Sequence, residues 1–276
     1  MIPDNKVTWS TVLIYIALIL GALVLVYPFA YMLMNSVKFG PEILHAPTKL
    51  PSRVTFTGYQ AVFQQLNMLN LFKNSLILAV SITAINTILS ALAAYAIAKI
   101  PFPGRNQLFG FMLATMMIPG VLFLIPTYVM MYRLGWVGHF YALIIPSAVS
   151  VYNIFLIRQF MVGIPDELIE AARLDGASEL NIFTRVILPL TRPVLATVAI
   201  LNFIGSWNDF LGPLLYLNKP ATWTVQLGLY QFQSSIPGEH IQEIWASMTL
   251  ITIPLVLVYF FLQDQFMQAF ANATFK

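Results

Sequence analysis

"GIPDELIEAARLDGASELNIFTRVILPL", residues 163–190, sets acids, arginines and a glycine between two apolar runs of a chain in which only 9% of residues are charged. Pro165 suits the first turn of a helix, where its missing N–H is not needed. Asp166 and Glu167 then lie at the positive end of the helix dipole. Leu168, Ala171 and Ala172 make one narrow apolar face, with Asp166, Glu170 and Arg173 pointing the other way. Gly176 marks the stop, because a left-handed closing residue is least costly as glycine. A second short helix is expected over Ser178–Val186, with Leu180, Phe183 and Ile187 on one stripe and Pro189 ending it. The segment reads as a helix–glycine–helix elbow with a charged exterior. From these residues alone it could equally be an interfacial hairpin, with Glu170 and Arg173 an exposed i,i+3 pair worth ~0.2–0.5 kcal/mol. A helix-turn-helix DNA reader fits poorly, since basic content is low and both ends enter apolar runs.

The remainder of the chain states what surrounds the elbow. Of 276 residues 59% are hydrophobic, the mean hydropathy is +0.78 and the formal net charge is +3. A water-soluble domain carries roughly a quarter charged residues, so this surface faces lipid. Residues 7–37, 74–98, 106–132, 140–157, 193–208 and 244–263 lack any Asp, Glu, Lys or Arg. A helix rising 1.5 Å per residue needs about 20 apolar residues to cross a bilayer. The runs predict an all-α integral membrane protein of six transmembrane helices, at about 9–35, 74–98, 107–132, 140–160, 193–217 and 244–267, with the elbow at 161–192 between the fourth and fifth. The whole of 1–276 is read as one transmembrane domain. The first run is too long for the ~7–15-residue core of a signal peptide and reads as an uncleaved helix. Gly21 and Pro28 are its expected kink points, and the stretch 37–72 is expected to be a sizeable loop.

With the N-terminus inside, eight Lys and Arg residues fall on the inner side and six on the outer. This is only a slight bias toward that orientation. Absence of cysteine excludes disulfides and thiolate chemistry. His45, His139 and His240 are widely separated, without acidic or cysteine companions at ligand spacing, so no metal site is expected. No phosphate-cradling GxxxxGK[ST] occurs, no nucleophile–base–acid set is apparent, and no Lys/Arg run suggests nucleic-acid binding.

The elbow resembles the cytoplasmic loop shared by permease subunits of binding-protein-dependent ABC importers. That family's pattern is E-A-A, three residues, G, nine residues, I, any residue, L-P. Here it reads Glu170-Ala171-Ala172, Gly176, Val186 in place of isoleucine, and Leu188-Pro189. "NSLILAVSITAINTILSALAAYAIAKIPFPGRN" (74–106) and "FIGSWNDFLGPLLYL" (203–217) resemble the second and fifth spans of the carbohydrate branch, specifically the smaller second permease of the maltose type. The C-terminal "QAFANATFK" departs from that type's Gly- and Lys-containing tail. The resemblance implies the type I importer permease fold, with a cytoplasmic helix-turn-helix coupling loop that docks on an ATP-binding subunit. Glu170, Ala171, Ala172, Arg173, Asp175, Gly176, Leu188 and Pro189 are the coupling residues it implies. It also implies a homologous second permease, two ATP-binding subunits and an extracytoplasmic solute-binding protein as partners, beside membrane lipid. No cofactor would reside in this chain; ATP and Mg would sit in the ATPase subunits. The location implied is a bacterial or archaeal cytoplasmic membrane, multi-pass, with both termini cytoplasmic. The solute would be a sugar or oligosaccharide, with a non-sugar solute such as glycerol phosphate the alternative.

Candidate pathway residues are Asn153, Asn202, Trp207, Asn208 and Asp209. Asp209 is the one acid within an expected span, and a charge at mid-bilayer costs ~2.5–3.5 kcal/mol on insertion scales. It is therefore either a cavity or gate residue, or an outer-end residue beside Gly212-Pro213. The asparagines, with Asn35 and Asn86, suit helix-to-helix bonds or sugar hydroxyls. Trp207 suits ring stacking or interfacial anchoring. The loop 218–243 is either an ordinary surface loop or, by the resemblance, a probe of the binding protein's sugar cleft. A membrane-embedded enzyme would need titratable residues converging at one depth, and only Asp209 qualifies.

Overall fold

The structure, a computed structural model, describes residues 9–230 and 238–274. All regular structure among them is helical: α1 Trp9–Ser36, α2 Gly40–His45, α3 Thr57–Gln65, α4 Met68–Lys99, α5 Arg105–Thr115, α6 Leu124–Arg133, α7 Tyr141–Ile144, α8 Val151–Val162, α9 Glu167–Leu174, α10 Glu179–Ile182, α11 Leu188–Leu190, α12 Arg192–Trp207, α13 Leu211–Tyr216, α14 Val225–Leu229 and α15 Ile241–Thr274. The chain divides into two compact units, Met1–Asn67 with Leu229–Ile253, and Met68–Gly228 with Pro254–Lys276.

Among the described residues α1, α4 and the Ile241–Phe260 part of α15 are long and apolar enough to cross a membrane. Two bent pairs raise the number to five if each is one crossing: Arg105–Thr115 with Gly120–Arg133, bent by 88°, and Glu179–Leu190 with Arg192–Trp207, bent by 81°. The expected 107–132 helix breaks at "MMIPG" because Pro119 disfavours helical backbone in the residue before it. The expected 140–160 helix divides around Pro146 into α7 and the 12-residue α8, which at 1.5 Å per residue falls short of the ~30 Å hydrocarbon core. The expected 193–217 helix is interrupted between Trp207 and Leu211. The 37–72 stretch, expected to be a loop, holds α2 and α3 and the first turns of α4.

In the first unit, buried Lys38 is the anchor of the 37–50 turn, its Nζ donating to the carbonyls of Ala46 (3.1 Å) and Pro47 (2.8 Å). Burial pushes its ammonium below the ordinary lysine range. Gln242 Nε2 donates to the Lys38 carbonyl at 2.9 Å and to Thr57 Oγ1 at 3.1 Å, joining the start of α15 to this turn and to α3. In the second unit α4 is the central element, packed chiefly on α12 and α8. Lipid tails are as apolar as leucine, so close approach of backbones must hold these helices together. Ala79, Ser90, Ala91 and Ala94 on α4 are buried and small enough to permit it.

Gly58 is required by close approach in the first unit. A Cβ there would lie 2.6 Å from the Gln242 carbonyl oxygen and 2.9 Å from its carbon, both backbone atoms. Gly58→Ala should therefore lower stability by about 1–3 kcal/mol, read as a lower unfolding midpoint of purified protein, whereas Gly21→Ala on open α1 should not.

Candidate functional site

The elbow is closed by backbone geometry at Gly176. Its φ of +80° is left-handed, the Gly176 N–H donates to Arg173 O, and the Ala177 N–H donates to Ala172 O, each at 3.0 Å. This is the Schellman closure, which satisfies the last carbonyls of α9 and turns the chain sharply. Ser178 then caps α10, its side chain accepting the Asn181 N–H. A π-type turn over Phe183–Ile187 follows. The chain bends again at Thr191, whose buried hydroxyl donates to the carbonyls of Ile187 (3.0 Å) and Leu188 (3.1 Å).

The underside of the elbow differs from the expected face. Ile169 is buried, not Leu168, which is 44% exposed; Ile182 is buried beside Phe183 and Ile187, while Leu180 is 66% exposed. With Ile164, these side chains join Ala94, Tyr95 and Ile97 of α4 and Ile154, Ile157 and Met161 of α8 in one apolar cluster. The π-type turn adds backbone between Ile182 and Ile187, which rotates the stripe away from Leu180.

Two polar ties fix the elbow on that seat. Glu179 accepts from Tyr95 Oη at 2.8 Å through Oε2, and from Arg173 Nε at 2.9 Å through Oε1. Lys99 Nζ, at the end of α4, donates to Asp166 Oδ1 and to the Ile164 carbonyl, both at 2.6 Å. Arg173 thus pairs with Glu179 and not with Glu170, as the i,i+3 reading had it. Glu170, Ala171 and Asp175 are exposed, and so is Pro189, while Ala172 and Leu188 are half-buried against the cluster. Leu174 is 89% exposed. The outer surface therefore presents Glu170 and Asp175 beside uncovered apolar side chains.

Deeper in the same unit three asparagines, one each from α4, α8 and α12, meet in a knot. Asn153 Nδ2 donates to Asn86 Oδ1 (2.7 Å) and Asn202 Oδ1 (2.9 Å), and Asn202 Nδ2 donates to Asn86 Oδ1 (3.1 Å). Asn86 Nδ2 donates to the Ser147 carbonyl at 2.8 Å, inside the 145–150 break where helical bonding leaves carbonyls free. The knot borders a cavity of about 430 Å³ lined by Asn86, Ser147, Ser150, Asn202, Ser206 and Asp209 among others. That lies within the ~300–1,000 Å³ of small-molecule sites. Asp209 sits in the break after α12, with Oδ1 accepting the Gly212 N–H at 3.0 Å. Trp207 is buried against Phe203 and Phe72, with ring centroids 5.9 Å away in each case, and Asn208 is exposed. Neither lines the cavity. The first half of the 218–243 loop is strapped to α4: Asn74 Nδ2 donates to the carbonyls of Ala221 and Trp223, each at 2.9 Å, and Ser75 Oγ accepts the Val225 N–H. Its centre, 231–237, lies outside the described residues, as do the side chains of the C-terminal tail. No group of His, Cys, Asp and Glu suited to a metal occurs among the described residues.

Sequence reasoning missed Tyr95, Lys99, Glu179 and Thr191. Only Lys99, the basic residue that opens "KIPFPGRN" (99–106), carried a local signal.

The chain is similar to known proteins in sequence and in fold. The family model of binding-protein-dependent transport system inner membrane components matches residues 86–272. An arabinooligosaccharide transport system permease, AraQ of Halalkalibacterium halodurans, is 31% identical over 249 residues, covering 89% of each chain. A glycerol-3-phosphate transport system permease, UgpE of Pectobacterium atrosepticum, is 30% identical, covering 94% of this chain and 95% of its own. In fold the chain is similar to one in the crystal structure of a bacterial ABC transporter involved in the import of the acidic polysaccharide alginate, with a TM-score of 0.83 over 95% of this chain and 98% of the other at 24% identity.

Removing Asn153 takes the donor from Asn202 Oδ1 and one of the donors from Asn86 Oδ1, which keeps the Asn202 amide. Asn153→Leu should cost about 1–2 kcal/mol, measured as a lower thermal midpoint in detergent. Asn208→Ala, on the exposed neighbour, should leave that midpoint unchanged.

Proposed function

This chain belongs to the family of binding-protein-dependent transport system inner membrane components, and from that premise we propose that its elbow couples ATP hydrolysis in partner subunits to alternating access of a carbohydrate pathway. It is a multi-pass membrane protein and a transport subunit. In the proposed assembly it crosses the membrane six times, with both termini and the elbow cytoplasmic. A homologous permease, two ATP-binding subunits that hold ATP and Mg, and an extracytoplasmic solute-binding protein complete the importer.

The observation that carries the reading is the elbow's two-sidedness. The family spacing of Glu170, Ala171, Ala172, Gly176, Leu188 and Pro189 falls on a segment whose underside is packed and pinned while its outer surface is uncovered. A motor without membrane helices of its own acts only through such a compact handle. Glu170 offers a carboxylate to a basic partner or a helix N-terminus, and Ala171 leaves room for close approach. Arg173 holds the handle's shape through Glu179, and the Asp175 backbone N–H closes the last turn of α9 on the Ala171 carbonyl. ATP shifts the inward-open to outward-open equilibrium only by as much as it interacts differently with the two states. A handle that bent under load would lose that difference.

For the solute, the cavity beside the Asn knot presents amides, hydroxyls and the Asp209 carboxylate, and no Lys or Arg. Such a lining suits neutral sugar hydroxyls and repels a phosphoester. That favours a sugar, as in the arabinooligosaccharide relative, over a glycerol phosphate, as in the second relative. Asn202 and Asp209 are the side chains placed to meet it, with Asn153 holding Asn202 in position.

Gly176→Val places a β-branched residue at a left-handed φ, which it adopts poorly. In the reconstituted importer it should abolish uptake while the complex still assembles, and wild-type uptake with normal stimulation of ATP hydrolysis would refute the coupling role. Glu170→Lys should reduce co-purification of the ATP-binding subunit several-fold; unchanged co-purification would count against Glu170 as a docking residue.

A further inference from the structure

Where α5 starts and α8 ends, two guanidinium groups share one corner and neither is held in an ion pair among the described residues. The Arg158 guanidinium carbon lies 4.0 Å from the centroid of the Phe109 ring, which stacks on Phe155 at 6.4 Å. Arg158 Nε is buried without an acceptor. Arg105 stands one turn before Phe109 on the same face of α5, near enough for its charge to bear on Arg158. Neither arginine belongs to an ion pair among the described residues. Two acids of the elbow border a small cavity with Arg105: Asp166, which is bonded to Lys99, and Glu170, which forms no ion pair among the described residues. Like charges brought together this way repel unless an anion joins them.

The backbone adds donors at the same place. Helix α5 begins after Gly104 in the left-handed conformation, with no side chain capping its end. The Asn106 and Gln107 N–H groups have no acceptor among the described residues, and the 101–107 turn encloses an open hollow of about 450 Å³. Unpaired amides at a helix start, together with the dipole, favour an anion. The surroundings are apolar and uncovered: Phe102 is 36%, Leu108 46% and Phe111 69% exposed. In a membrane protein that face meets acyl chains, and basic pockets at the ends of spans take lipid headgroups. The occupant must therefore be both anionic and amphiphilic.

We propose that Arg105 and Arg158, with the first amides of α5, bind the phosphodiester of an anionic phospholipid whose acyl chains lie along the exposed apolar face of α5. The lipid clasps α5 to α8 beside the Lys99–Asp166 tie, so the elbow is seated partly through lipid. This site is separate from the sugar pathway and adjoins Glu170 of the elbow's outer surface, and it requires only that the chain spans a membrane.

Native mass spectrometry of the assembled importer, delipidated in detergent and titrated with phosphatidylglycerol, phosphatidylcholine or inorganic phosphate, tests it. The wild type should retain phosphatidylglycerol at least tenfold more tightly than the Arg105→Gln/Arg158→Gln double variant. Phosphatidylcholine should bind both equally, inorganic phosphate should not displace the lipid, and Arg105→Lys/Arg158→Lys should keep most of the binding. Equal phosphatidylglycerol retention by wild type and the Gln variant would overturn the proposal. So would displacement by inorganic phosphate, which would make this a free-anion site, or loss of the second permease from the Gln variant, which would assign the arginines to a protein interface.

Discussion

The elbow moves membrane helices only if it is fastened to them, and the fastening is the seat of Ile169, Ile182, Phe183 and Ile187 against α4 and α8. Each such side chain withdrawn from water stabilises by about 1.5–3 kcal/mol. The half-exposed Arg173–Glu179 pair adds only about 0.2–1 kcal/mol. Apolar burial therefore supplies most of the adhesion. The carboxylate of Glu179, held by Tyr95 on one side and Arg173 on the other, contributes direction: it fixes α9 and α10 relative to one another and both relative to α4. A purely apolar seat would permit sliding, and a sliding handle would dissipate the motion it is meant to pass on.

The same chain solves the opposite problem a few turns along α4. Inside lipid, burying an apolar side chain against another helix gains little, because the alternative environment is equally apolar. There the specific contacts are small residues and the Asn86–Asn153–Asn202 knot. The knot lies between two apolar clusters, one running to the elbow and one around Leu78, Met131 and Leu143. It joins α4, α8 and α12, so in the proposed mechanism a displacement of the elbow would reach the cavity beside Asn202 and Asp209 through helices that are tied together. The breaks at 145–150 and 208–210 open the space that the cavity occupies, and their free backbone groups are met by Asn86 and by Asp209.

What the sequence disclosed followed from local chemistry. Gly176 was legible because a helix stop followed by a left-handed turn needs glycine, and it has φ +80°. The apolar runs were legible because bilayer thickness sets their length. The inward face of the elbow was not legible, because Leu168 and Ile169 are adjacent and equally apolar, and packing against the distant α4 and α8 decides which one is covered. Leu180 was misassigned for a related reason: a period of 3.6 carries a stripe through Leu180, Phe183 and Ile187, and the π-type turn breaks that period. Glu179 meets a tyrosine 84 residues away, a distance over which no spacing rule acts. Trp207 showed its size but not its direction; it stacks on Phe203 and meets Phe72 at a tilt, away from the cavity.

The chain contains no cysteine, so a single-cysteine scan across residues 167–182 reads the elbow's faces directly inside the assembled importer. With a short cross-linker and a cysteine in the docking cleft of the ATP-binding subunit, Ala171→Cys and Leu174→Cys should cross-link, while Ile169→Cys and Ile182→Cys should not. The yield at the exposed positions should change on adding ATP. Cross-linking from the buried positions as strongly as from the exposed ones, or from none of them, would contradict a handle seated on α4 and gripped from its outer face.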